Sequence, residues 1–326
     1  MRNRPAVLCR PRSLFILLFC IAGAVPFGAQ SQQSAAPPPS SKDVKIVFLG
    51  TGTPAPNADR QGPSLAIIVN GKAYLVDAGS GVVRQANSAF QRGIPALRPT
   101  DLDIAFLTHL HSDHTLGLPD LIFTPWVSER TKPLRLYGPE GTKEMIAHIL
   151  EAFKEDIQVR TSGLESANTT GYKVDAHDVQ PGNVYQDGNV SVKAFLVKHG
   201  SWKEALGYRF DAGGKSIVVS GDTSPAESVV ENCAGCDALI HEVYSGRAQN
   251  PLKPSVSVEQ WMKYESAFHT SAPELGEIAA KAKAKMLILT HWTLLGNAKE
   301  DDMVREIRQK YSGPIVIARD LDVVVP

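Results

Sequence analysis

The sequence predicts an α/β fold in one large domain. Short, largely apolar runs recur at residues 44–49, 104–107, 190–197 and 286–290, bounded by Gly, Pro or polar turns, as buried strands are. Helical stretches alternate with them, such as the Ala-, Glu-, Ile- and Lys-rich segment after Ser271. The length of 326 residues is ample for a sizeable core.

The first residues read as a leader. Arg2, Arg4, Arg10 and Arg12 precede an apolar run at 14–25, the layout of a secretory signal peptide over 1–31, cleaved after Ala24 or near Ser31. The run is shorter than the roughly 20 residues of a bilayer span. Phe19 stands where lipidation of Cys20 needs a small residue, so lipidation is not expected. Residues 32–42 form a flexible linker with three consecutive prolines, and a single domain follows over 43–326. A secreted or periplasmic location follows from this reading. Without residues 1–31 the chain keeps 30 basic and 34 acidic residues, a net charge of −4. That is not the footprint of a protein built to grip a polyanion, and nucleic acid is not expected as a partner. Cys233 and Cys236 remain in the mature chain; they read as small residues at a helix end, joined by a disulfide in an oxidising compartment.

The elements follow in order. After the strand at 44–49, the loop Gly50-Thr-Gly-Thr-Pro-Ala-Pro brings backbone close to something, yet no helix follows to make it a nucleotide loop. Residues 64–69 and 73–76 form a hairpin about Asn70-Gly71. Asp77-Ala-Gly-Ser-Gly precedes a helix near Val82, so Asp77 is a candidate helix N-cap. A helix is expected over 118–127, a strand over 134–137 and one long helix over 143–156. Residues 157–189 are mixed and carry few bases. The strand at 190–197 delivers His199, and one at 216–220 ends in Gly221-Asp222, where Asp222 can also cap a helix from Ser224. His241-Glu242 follow a short apolar run. Residues 244–267 are a polar, Pro-containing insertion, either a wall over the site or a solvated loop. A strand ends in His291, and a helix over 301–311 and a strand over 315–318 close the chain. His148 and His177 read as ordinary surface residues.

The chain is organised around Thr-His-Leu-His-Ser-Asp-His at 108–114, between a buried strand and a helix start. His109 and His111 lie two apart, so extended backbone turns both imidazoles to one side. Asp113 and His114 come where the chain turns and can face a second point. Two adjacent ligand sets of this kind suit a two-metal site, because one ion cannot take all four groups and stay open to substrate.

This stretch resembles the metal-binding signature of the metallo-β-lactamase fold hydrolases. The Asp77 motif, Gly221-Asp222, His241-Glu242 and His269-Thr-Ser, in this order, resemble the branch of ribonuclease Z and its arylsulfatase-type relatives. The resemblance implies an αββα sandwich, a four-layer α/β arrangement with metal-bearing loops at one edge of two mixed sheets. It implies two divalent ions, zinc with Mn or Fe as alternatives. His109, His111 and His199 would hold the first and Asp113, His114 and His291 the second, with Asp222 bridging. Asp77 would support the metal loop, Glu242 would orient His269, and Asp113 and His269 would handle protons of nucleophile and leaving group. The activity implied is hydrolysis of anionic esters, phosphodiester or aryl sulfate, by a hydroxide shared between the ions. The long basic arm that clamps tRNA in ribonuclease Z has no counterpart here, which favours an exported hydrolase of small esters over a tRNA-processing enzyme. A non-catalytic, metal-stabilised binding module is the third reading. The family also implies a homodimer.

Overall fold

The computed structural model describes residues 44–250 and 253–326; the leader and linker read at 1–42 lie outside the described residues. Strands β1 (Val44–Gly50), β2 (Ser64–Val69), β3 (Lys72–Val76), β4 (Ile104–Phe106), β5 (Leu134–Gly138) and β6 (Val174–Asp178) belong to a first sheet. The second holds β7 (Gly182–Gln186), β8 (Val190–Val197), β9 (Ala205–Ala212), β10 (Lys215–Val219), β11 (Ala238–Gly246), β12 (Leu287–Leu295) and β13 (Ile315–Ile317). The closing strand β14 (Val323–Val324) returns to the first sheet, antiparallel to β1. Both seven-stranded sheets are mixed, with β3 to β6 and β10 to β13 running parallel.

Alternation along the strands explains the layers. On β1, Ile46 and Phe48 join Tyr74, Phe106, Tyr208, Phe210 and Ile240 in a core shared by both sheets. Val47 and Leu49 point the other way, into a cluster with the helices α1 (Val82–Gln91), α3 (Leu118–Val127) and α4 (Thr142–Ala152). The short helix α2 (Ser112–Thr115) lies between α1 and α3 in the chain. The outer face of the second sheet packs Val218, Leu239 and Leu287 on α6 (Glu227–Cys233), α8 (Ala272–Lys281) and α9 (Glu300–Arg308). Helix, sheet, sheet, helix is the expected αββα sandwich. Strands covered on both faces must be apolar throughout, which is why they read as continuous runs.

The expected hairpin forms. Asn70 and Gly71 both have positive φ, 50° and 76°, the backbone of a two-residue turn between Val69 and Lys72. Three expectations are corrected, and one unassigned segment gains elements. The long helix over 143–156 is two, α4 and α5 (Lys154–Ser162), and at the break Phe153 lies against Phe123, ring centroids 4.5 Å apart. The mixed segment 157–189 contains strands β6 and β7, half-exposed and therefore weakly apolar. The insertion at 244–267 is no plain loop, since α7 (Val258–Phe268) begins there under a Ser257–Gln260 capping box. Helix α6 starts at Glu227 with Ala226 at its N-cap, so Asp222 caps nothing. Cys233 ends α6 and is joined to Cys236 by a disulfide.

Candidate metal centre

The parallel strands end at one edge, and there the polar side chains gather. From the end of β4 come His109 and His111, with Asp113 and His114 on α2. The turn after β8 gives His199, the turn after β10 gives Asp222, β11 carries Glu242, and His269 follows α7. His291 does not end its strand as expected: β12 runs on to Leu295. The ladder with β11 shifts register between His241/Leu289 and Val243/Trp292, so β12 has one extra residue there. His291 sits in this bulge with φ of 46°, a conformation that β-strand residues avoid, and is re-aimed into the site.

Two ligand groups result. Nε2 of His109 and of His199 approach Nδ1 of His111 to 3.0 and 3.1 Å. Nε2 of His291 and of His114 lie 3.3 and 3.5 Å from Oδ2 of Asp113. Asp222 stands between them. Its Oδ2 is 3.9 Å from Nε2 of both His109 and His199, and 3.4 and 3.5 Å from those of His114 and His291. A single oxygen thus faces both groups. Gly221 makes the turn possible: its φ is 62°, and a Cβ would come within 2.8 Å of Thr108.

Asp77 supports the loop and is not a helix cap; the N-cap of α1 is Gly81. Its carboxylate accepts from Thr108 N–H at 2.8 Å and from the Thr108 hydroxyl, and takes the Nδ1–H of His114 at 2.8 Å. His199 Nδ1–H likewise donates to the carbonyl of Phe268 at 2.8 Å. With these outer nitrogens engaged, the Nε2 lone pairs turn inward, the usual way a second partner fixes a ligand tautomer. Trp202, which sequence reasoning passed over, donates its indole N–H to Nε2 of His111 at 2.7 Å. A tryptophan three residues after a candidate ligand was the only signal.

These residues fit divalent cations. Each group brings at least three N or O donor atoms within 4.8 Å of one another. His114 Nε2 is buried with no hydrogen-bond partner, an orphaned polar atom that a cation satisfies. Burial pushes His109 well below the usual histidine range and His199 down to about 4, leaving both neutral and able to ligate. Burial would lower His114 too, but Asp222 and Asp77 outweigh it and raise it well above, so a cation taking Nε2 displaces a proton there. Burial alone would raise Asp222; His291 and His114 outweigh that and hold it well below the carboxylate range.

Beside both groups, His269 Nδ1 lies 3.5 Å from Glu242 Oε2. The other Glu242 oxygen accepts from the N–H of Thr270 at 2.9 Å and of Thr223 at 3.3 Å, which locks the carboxylate in place. Burial would lower His269, but Glu242 prevails and lifts it to about 9. His241 points away and is fully buried, with Nδ1 against the Glu242 carbonyl. His148 is exposed, and His177 stacks on Tyr137; neither belongs to the site.

An αββα sandwich with two facing N/O donor groups at one sheet edge defines a class, the metal-dependent hydrolases of this fold. Residues 72–292 match the model of the Beta-lactamase superfamily domain. A ribonuclease Z of Mycobacterium bovis (strain BCG / Pasteur 1173P2) is 32% identical over 282 residues, 85% of this chain and 96% of the relative. Among solved structures, the metallo-β-lactamase fold protein YhfI from Bacillus subtilis aligns with TM-score 0.64 and 21% identity, over 87% of this chain and 99% of its own. Human tRNase Z, short form, aligns with TM-score 0.61 and 23% identity, over 86% and 99%. The chain belongs to the metallo-β-lactamase superfamily, in its ribonuclease Z branch. It is a metal-dependent, ester-cleaving hydrolase.

Proposed function

We propose that this chain cleaves phosphodiester bonds of RNA, with tRNA 3′ ends as the substrate class. The observation that carries the reading is the 32% identity to a ribonuclease Z across 96% of that protein's length. It outweighs the net charge and the missing basic arm, which pointed to small esters. In this reading His109, His111 and His199 hold one ion, Asp113, His114 and His291 hold a second, and Asp222 lies between. Zinc suits this donor set, and Mn or Fe are compatible with it. The bound ions supply Lewis-acid charge and make water a stronger acid. Asp113, beside His291 and His114, accepts the attacking water's proton. His269, kept protonated by Glu242, gives a proton to the leaving oxygen.

A second reading, hydrolysis of a small aryl phosphodiester or sulfate by an exported form, is favoured by the net charge of −4 without residues 1–31. Comparing kcat/KM on a precursor tRNA with that on bis(p-nitrophenyl) phosphate and p-nitrophenyl sulfate tests both. Accurate 3′ cleavage exceeding the small-ester rates supports the first reading. Turnover of a small ester with intact tRNA replaces it with the second.

A further inference from the structure

A cavity of about 450 Å³ adjoins the candidate centre and reaches His269 and His291. Tyr244, Trp261, Tyr264, Leu294 and Leu295 are among the residues of its wall. The wall is firmly built. Trp261 stacks on Tyr264 and Tyr264 on Phe268, with centroids 5.0 and 4.5 Å apart. The Phe268 carbonyl in turn holds His199. So the helix that supplies the aromatic wall also fixes a residue of the cation-binding group.

A charge beside the aromatic wall points to a ligand. Lys253 places its ammonium 5.5 Å from the Trp261 ring centroid and 5.6 Å from that of Tyr264, also on the cavity wall. An aromatic wall and a cation together suit a flat ring next to a negative charge.

We propose that this cavity seats a planar ring carried by the leaving group of the ester, held against the aromatic wall beside Lys253. The inference rests on the reading of the adjoining centre as the hydrolytic site. The ring is either a nucleobase or a small aryl group, and the chemistry of the wall is the same for both.

Binding of phosphate monoesters to the zinc-loaded full chain, followed by calorimetry, tests this without turnover. Phenyl phosphate is expected to bind at least about tenfold more tightly than methyl phosphate, the size of one stacking contact. In Trp261→Leu and Tyr264→Leu the preference falls below about threefold. Trp261→Phe keeps a ring on the wall, so the preference for phenyl survives there. Adenosine 5′-monophosphate separates the sources: affinity matching phenyl phosphate assigns the cavity to a base, and affinity about tenfold weaker assigns it to an aryl group. Equal affinity for phenyl and methyl phosphate, including no measurable binding of either, overturns the proposal, as does a preference retained in both leucine variants. Absence of phosphodiesterase activity with the ring preference intact would instead count against the hydrolytic reading alone.

Discussion

Glu265 gives a prediction whose size follows from its surroundings. It lies on α7, 4% exposed, on the wall of the aromatic cavity. Burial raises its carboxyl most; His269 pulls it back and Glu242 pushes it further up, from an ordinary 4.5 to about 7. A carboxyl raised in the folded state favours folding fully below its unfolded value, and that contribution disappears as pH climbs through the folded value. Between pH 5 and pH 8 this one group should therefore cost the protein about 2.5 kcal/mol of stability. Glu265→Gln keeps the shape and cannot ionise. Urea denaturation of both proteins at pH 5, 6, 7 and 8, with chelator present so that metal binding does not contribute, measures the difference. The advantage of the glutamine variant should grow by about 2.5 kcal/mol from pH 5 to pH 8. A difference constant to within about 0.5 kcal/mol would show that Glu265 is solvated or paired, and the reasoning from burial would fail.

Two further perturbations address the centre itself. Asp77→Ala removes the acceptor shared by Thr108 and His114; zinc affinity by chelator competition should fall about 10- to 100-fold, as for other lost supports of metal ligands. Unchanged affinity would mean the loop holds its shape without Asp77. His269→Ala should lower kcat about 10²- to 10⁴-fold with metal content unchanged. The wild type needs the imidazolium, which Glu242 sustains to about 9, so activity should decline as pH rises through 9, and the variant's profile should lack that alkaline limb. An identical limb in both would assign the ionisation elsewhere.

Much of the site was legible because ligand chemistry is local. Two histidines at spacing two after an apolar strand can point only one way, and a Gly-Asp turn or a strand-borne histidine announces itself similarly. Asp77 shows the limit: as a sequence element it fits a helix cap equally well, and only the fold brings Thr108 and His114 to it. The strands buried on both faces were equally plain. What escaped depends on partners distant in the chain. Strands β6 and β7, with Asp, His, Asn and Gln along them, lie half-exposed at the sheet edges and lack an apolar period. The bulge at His291 exists only in register with β11, and the break at Phe153 only against Phe123. Trp202 carries no motif, and its bond to His111 requires the β8 and β4 loops to meet.

Asp222 faces both ligand groups through one oxygen, and the proposed hydrolytic metal centre depends on it. Zinc content and rate on bis(p-nitrophenyl) phosphate, measured together for the wild type and Asp222→Ala, test it most directly. About two ions per wild-type chain are expected, with activity that vanishes on chelation and returns with zinc, and an inactive variant that retains fewer ions. Full activity in the chelated protein, or in Asp222→Ala, would contradict it.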